Sequence, residues 1–326
     1  MSAGNAAASV VICSYSRARR DLLLAAAASL RRQTVQPREV VVVVDHNPEL
    51  LESVTKALPD ALVVPNRQAR GLSGSRNSGT LACRAEVVAF LDDDAVAAPD
   101  WLERLLAGYA KPRVAGVGGS VEGVWEAGRP RWFPPEFDWV VGCSYLGLPT
   151  TAVSVRNLLG CNMSFRRALL VEAGGFRDGF GRDGSLPLGC EETELCIRLQ
   201  QRWPGCVVLY QPAAVVRHHV PGQRSRPRYF GHRCFSEGRS KAQVTRAVGS
   251  SDGLASERAY VRSTLPRGIG RELAACMTSR SVGGLGQAAA IASGLLLTAA
   301  GYGTGLLYQP RRRRGRPLEQ LQGAAG

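Results

Sequence analysis

The stretch Val87-Val88-Ala89-Phe90-Leu91-Asp92-Asp93-Asp94 runs an apolar segment straight into three consecutive carboxylates. Five residues rich in Val, Phe and Leu fit a strand covered on both faces, the kind found inside a parallel sheet. Carboxylates are rarely buried unpaired, so the aspartates should sit where the strand leaves the sheet. In open α/β sheets that carboxyl edge is where ligands bind. Three crowded anions repel one another, and a divalent cation with oxygen ligands would relieve them. The plainer alternative is an aspartate-rich loop that leads into the helix beginning at Pro99-Asp100. The strand by itself does not choose between the two.

Other segments favour a site. Ala8 to Tyr15 (ASVVICSY) reads as a strand ending in polar residues, and Glu39 to Asp45 (EVVVVVD) as a buried strand ending on an acid. Asp21 to Arg32, Leu51 to Leu58 and the spacing of Trp101, Leu102, Leu105, Leu106 and Tyr109 read as helices, with a short strand at Ala61 to Val64. Strand and helix alternate over the first 110 residues, which argues for right-handed βαβ units. Three strand ends then share one edge: Ser14-Tyr15, Asp45 and Asp92 to Asp94. The resulting crevice, with a ring, hydroxyls and a cation, suits a nucleoside diphosphate. No GxGxxG and no GxxxxGK[ST] is present, which disfavours a dinucleotide enzyme or a P-loop kinase.

Gly71 to Gly79 (GLSGSRNSG) reads as a glycine- and serine-rich turn carrying Arg76 and Asn77, followed by a short helix. Farther on, Gly116 to Val121 and Val207 to Tyr210 read as strands, and Arg217-His218-His219 follows the second. Trp125 to Trp139 (WEAGRPRWFPPEFDW) is either core packing or a platform for a sugar or lipid. Glu191, Glu192 and Glu194 crowd at the front of a helix, where acids complement the dipole; a desolvated glutamate among acids would also serve as a general base.

These segments together resemble the family 2 glycosyltransferases with a GT-A fold, over residues 8 to 240. The resemblance rests on VVICSYSR, VVVVDHNP, GLSGSRNSG, FLDDDA, GCNMSF, GGF, CEETEL and RHH in that order. More narrowly, FLDDDA, RWFPPEFDWVVGC and the basic tail look like archaeal glucosyl-dolichyl phosphate glucuronosyltransferases and their actinobacterial relatives. The family resemblance implies a Rossmann-like, mostly parallel sheet flanked by helices. It implies that Tyr15 stacks on a nucleotide base beside Ser14, and that Asp45 contacts base or ribose. Arg76 would serve the donor pocket, and Asp92 and Asp93 would hold the ribose. Asp94 would ligate Mg²⁺ or Mn²⁺, with His218 as a further metal or phosphate contact. Glu192 would be the catalytic base. Cys13 stands where the family has proline, and His46 where a second acid often follows the second strand. The implied reaction is inverting transfer from a nucleotide sugar, UDP-glucuronate or a UDP-hexose, to a hydroxyl of a glycan or lipid-linked acceptor.

The division expected is a nucleotide-sugar half at 1–115, an acceptor half at 116–240, a helical linker at 241–280, and an apolar segment with a basic tail at 281–326. Residues 281 to 310 carry no charge, and Arg280 and the run Arg311, Arg312, Arg313, Arg314 and Arg316 flank them. Such a segment can span a bilayer, lie on it, or pack on the domain; bases on both sides favour the surface over a span. An arginine run suits anionic headgroups, so the cytoplasmic face of the cell membrane is the expected location. Nine scattered cysteines without a CxxC pair, and no apolar opening segment, argue for reduced thiols rather than disulfides or zinc. Two other classes compete: a nucleotidyltransferase, and a basic nucleic-acid binder given the net charge of +14. The acidic crevice and the concentration of positive charge in the tail weigh against nucleic acid as a partner.

Overall fold

The computed structural model describes residues 7–181, 189–253, 255–279 and 282–307. The arginines at 311 to 316 and Arg280 lie outside them. Four strands, β1 (Ala8–Ser14), β2 (Glu39–Val44), β3 (Leu62–Pro65) and β4 (Val87–Asp92), are mutually parallel. The valine and leucine runs of β1, β2 and β4 are sealed on both sides. Helices α1 (Arg20–Leu30) and α2 (Pro48–Ala57) connect the first three strands. The pairings Ser14↔Val44 and Cys13↔Asp92 put the ends of β1, β2 and β4 on one edge, as the sequence led us to expect.

The turn expected at Gly71 to Gly79 is instead helical, α3 (Leu72–Ala82). Its small residues serve close packing. A Cβ at Gly79 would stand 2.5 Å from a Val11 methyl, and one at Gly74 would stand 1.9 Å from the Ala69 carbonyl oxygen. Gly71, with φ +117°, makes the sharp entry that a side chain would strain.

Beyond β4 the sheet becomes mixed. Helix α4 (Trp101–Ala107) follows the short β5 (Ala95–Ala97), and β6 (Val114–Trp125), β7 (Val153–Ser154), β8 (Asn162–Arg166) and β9 (Val207–Val220) complete nine strands. The order is β3-β2-β1-β4-β8-β6-β9-β5, with β7 against β9 and with β8 and β5 antiparallel to their neighbours. Strand β9 runs well past the expected Tyr210, because the register shift at Gly119/Ser120 absorbs Pro212. Asn162, fully buried, holds that shift: its Nδ2 donates to the Ser120 and Ala214 carbonyls at 2.8 Å each, and Trp101 Nε1 donates to its Oδ1. The continuation matters because β5, starting just after the aspartates, pairs Ala95 with His218.

After α5 (Arg167–Glu172) and α6 (Glu191–Arg202) comes a helical layer: α7 (Pro227–Val248), α8 (Ser250–Gly253), α9 (Ala255–Ala259), α10 (Leu265–Ser279) and α11 (Val282–Leu307). Phe133 and Phe137 from the aromatic stretch are buried and meet Phe230 of α7 with ring centroids at 5.3–5.4 Å, so that part of the stretch is core. By length and composition Gly284–Leu307 could cross a membrane, yet one face of α11 is seated on α7. A Cβ at Gly238 would stand 2.0 Å from the Thr298 carbonyl oxygen, and one at Gly301 2.0 Å from that of Phe235. Gly238→Leu is therefore expected to cost about 3 kcal/mol, lowering Tm by several degrees in a thermal melt. Gly303→Leu, with open space around it, should leave Tm unchanged or raised; equal losses in both would remove this account of the helix pair.

Candidate active site

A single cavity of about 1490 Å³ runs from the strand edge to the C-terminal helices. Small-molecule sites usually hold roughly 300–1,000 Å³, so this one has room for two substrates. Ser14, Tyr15, Asp45, Arg76, Asp92, Asp93, Asp94, Glu192 and His218 all line it, so the residues to which the family resemblance gives a role are brought to one place, while Asn77, Glu194 and His46 are not among its lining.

At the strand edge, Tyr15 is 58% exposed, with the Arg19 guanidinium 6.0 Å from its ring centroid. The Ser14 hydroxyl donates to Asp93 Oδ2 at 2.7 Å, so Ser14 orients an aspartate. Asp45 is committed to the fold: Oδ1 accepts from Asn66 Nδ2 at 2.6 Å and meets His46 Nδ1 at 2.7 Å, and Oδ2 accepts from the Gly71 N–H at 2.9 Å. Those contacts shape the entry to α3.

The aspartates are not left without counter-charge. Arg19 reaches Asp93 Oδ1 at 2.9 Å and also pairs with Asp94, and Arg224, from the 3₁₀ turn Gly222–Ser225, stands 3.9 Å from Asp94. Burial pushes the Asp93 carboxyl up to about 7, with Arg19 pulling against it and Asp94 adding to it. For Asp94 burial acts the same way, but His218, Arg19 and Arg224 outweigh it and hold this carboxyl well below the usual range. Arg19 and Arg224 escaped the sequence reading. Arg19 left one signal: Arg17, Arg19 and Arg20 crowd the front of a helix, where the dipole disfavours cations.

Asp94 Oδ1 is buried without a well-directed hydrogen bond and lies 3.3 Å from His218 Nε2. A carboxylate oxygen and an imidazole nitrogen side by side form a two-point chelate for a hard divalent cation. Among the described residues no three acid, thiol or imidazole groups form a ready-made metal cage. A cation there would take its other ligands from a substrate phosphate or water, as Mg²⁺ commonly does.

Beside Asp92, Arg76 is buried and its charge is spent within the protein. Nη1 donates to Glu191 Oε1 at 2.6 Å, and Nη2 to the Gly160 carbonyl at 2.9 Å and to Asp92 at 3.3 Å. The expected donor-pocket arginine is thus also a brace between α3, β4 and α6. It separates two adjacent glutamates. Glu191 is neutralised by Arg76, whereas Glu192 has no ion pair among the described residues and faces the cavity. Burial, then the neighbouring Glu191, pushes the Glu192 carboxyl up to about 8.

The wall formed by the C-terminal half holds Trp139, Tyr145, Tyr229 and Tyr260, together with Leu295, Thr298, Ala299 and Tyr302 of α11. The apolar tail therefore contributes to the cavity, beyond the acceptor half expected at 116–240. Aromatic residues from the proline-rich stretch divide accordingly, Phe133 to the core and Trp139 to the cavity wall.

The sequence profile described as Glycosyl transferase family 2 matches residues 9–174. A glucosyl-dolichyl phosphate glucuronosyltransferase of Haloferax volcanii is 37% identical over 237 residues, 72% of this chain and 75% of that protein. The chain belongs to glycosyltransferase family 2. Within the family, a pre-mycofactocin glycosyltransferase of Mycobacterium tuberculosis is 29% identical over 196 residues, covering 59% of this chain and 40% of its own length. The fold is GT-A. A mannosyltransferase from Pyrobaculum calidifontis, solved in complex with GDP-Man and Mn²⁺, superposes with a TM-score of 0.55 at 17% identity, over 90% of this chain and 87% of that one. GalNAc-T7, solved with UDP, GalNAc and Mn²⁺, gives 0.51 at 18% identity, over 74% of this chain and 48% of that one. This family 2 member is accordingly a glycosyltransferase.

Proposed function

We propose that the enzyme inverts configuration as it moves a sugar from a nucleotide donor, UDP-glucuronate or a UDP-hexose, to a hydroxyl of a lipid-linked sugar. The observation that carries this reading is that the aspartate edge and an unpaired, half-buried Glu192 face one cavity with room for two substrates. The nucleotide lies at the strand edge with its base on Tyr15 and its ribose at Asp92 and Asp93. Asp94 and His218 would hold a Mg²⁺ or Mn²⁺ ion, which would supply positive charge for the leaving diphosphate, the kind of electrostatic contribution that usually dominates such reactions. Arg19 and Arg224 add fixed positive charge at the same edge. Glu192, across the cavity, takes the proton of the attacking hydroxyl, so attack comes from the face opposite the leaving group. The name of the Haloferax volcanii relative supports a dolichyl-phosphate sugar as acceptor. Such an acceptor would bring the enzyme to the cytoplasmic surface of the membrane that carries it.

A panel of nucleotide sugars, scored for released nucleoside diphosphate and for the anomer of the product, tests this reading. One UDP-sugar is expected to be consumed, with turnover lost in excess EDTA and restored by Mg²⁺ or Mn²⁺. Release of nucleoside diphosphate from none of them, or a retained anomer, would rule out this assignment.

A further inference from the structure

Besides its contacts with α7 and α10, α11 has a side that is exposed among the described residues. Its exposed positions include Leu285, Ala289, Ala292, Leu296, Gly303 and Leu307, which recur at helical spacing along one face for the length of the helix. No charged residue occurs anywhere in α11, and Leu296 and Leu307 are 70% and 87% exposed. A water-facing helix would carry charge on this side. A long contiguous apolar face marks an interaction site.

Three observations identify the occupant as a lipid leaflet. First, α11 cannot cross a bilayer while its other face is locked on α7 by the backbone approaches at Gly238 and Gly301, so its axis stays on the protein surface. Second, Arg267 on α10, which packs on α11, and Arg262 on the preceding turn Tyr260–Thr264 are exposed with no carboxylate within ion-pair distance among the described residues, which suits anionic headgroups. Third, Ala299 is exposed on the outer side of α11 and also lines the active-site cavity, as Arg267 does. The apolar face and the cavity are continuous.

We propose that α11 lies in the plane of one leaflet with this face submerged, and that the cavity opens sideways into the hydrocarbon past Ala299. The acceptor's isoprenoid tail then never leaves the membrane. Its sugar reaches Glu192 while the tail extends past Leu295 and Ala299. An in-plane helix of this kind sinks its apolar side to the boundary between headgroups and acyl chains. The inference rests on the lipid-linked acceptor proposed above, and its test separates the two.

The experiment uses the full chain and the double variant Leu296→Glu/Leu307→Glu, neither position lining the cavity. Flotation with neutral phosphatidylcholine vesicles removes the electrostatic attraction of the C-terminal arginine run. Wild type is expected to float, and the variant to lose vesicle affinity by on the order of 100-fold. Transfer to a long-chain polyprenyl-phosphate sugar embedded in those vesicles should fall at least about 10-fold with it. Donor hydrolysis and transfer to a short-chain, water-soluble analogue should stay at the wild-type level, which also establishes that the variant is folded. Ala299→Trp, by contrast, should keep vesicle binding and lose the long-chain acceptor selectively. Wild-type protein that ignores neutral vesicles, or a variant that changes from dimer to monomer in light scattering with vesicle binding unaltered, overturns the proposal in favour of a second copy or no partner on this face. Absence of transfer to any sugar acceptor, with vesicle binding as expected, would instead overturn the acceptor reading alone.

Discussion

Glu192→Gln is expected to lower kcat by about 10²–10⁴-fold while nucleotide-sugar binding stays nearly intact. Glutamine keeps the size and hydrogen-bonding capacity of the side chain but cannot accept a proton, so the loss falls on the chemical step. The choice of Glu192 over its neighbour follows from Arg76. That guanidinium sits 2.6 Å from Glu191, and a carboxylate so paired is a poor base. Glu192, desolvated and pressed by Glu191, has its carboxyl pushed up to about 8. The base must be ionised to act, so kcat/KM should climb as pH rises through about 8 and level off above it. The variant should lack that limb altogether. Glu191→Gln should behave differently: it leaves Arg76 buried with half its counter-charge gone, so the protein is expected to lose stability while keeping a pH limb, moved to lower pH because Glu191 no longer presses on Glu192. An inactive Glu191→Gln beside an active Glu192→Gln would exchange the two roles.

The strand-end convergence was legible because it needs only local information. A run such as EVVVVVD says both where a strand lies and where it leaves the sheet, and parallel connections do the rest. What local information misses is the use made of small residues. GLSGSRNSG has the composition of a turn, yet Gly79 is there because β1 and β2 come within reach of α3, and Gly74 because the Ala69 carbonyl does, distances visible only in three dimensions. The same holds for α11, where Gly301 and Gly305 are contact points against α7. Strand β9 continues past the expected Tyr210 although Pro212 follows, and the register shift that accommodates the proline is held by Asn162, far earlier in the chain.

Long-range charge pairing was the least legible of all. The aspartates have no base beside them in sequence, which made a cation the natural remedy. In the folded chain Arg19 and Arg224 approach from the front of α1 and from beyond β9. Arg224 comes from a segment whose local pattern gives no reason to meet a carboxylate, and Arg19 shows only its unfavourable place at the front of a helix. Their presence changes the expected role of the cation from sole neutraliser to one member of a positive cluster facing the diphosphate.

That cluster decides what Asp94→Ala should do. The substitution removes one of the two groups of the proposed chelate and leaves His218, Arg19 and Arg224 facing one another with Asp93 alone to balance them. Turnover is expected to fall by roughly 10²-fold or more, the cost typical of losing an electrostatic contact to developing charge. Mn²⁺ binding in the presence of UDP, followed by electron paramagnetic resonance, should weaken in parallel. Asp94→Asn separates the two contributions, because the amide keeps the shape while losing the charge that holds the cation. It should bind Mn²⁺ almost as poorly as Asp94→Ala while keeping more of the thermal stability. Arg19 also bears on the result: freed from Asp94, it would sit closer to Asp93 and draw that carboxyl back down from about 7. Unaltered Mn²⁺ binding in both variants would move the metal to another ligand set, and full turnover of wild type and variants in excess EDTA would remove the cation from the mechanism, leaving Arg19 and Arg224 to stabilise the departing diphosphate alone.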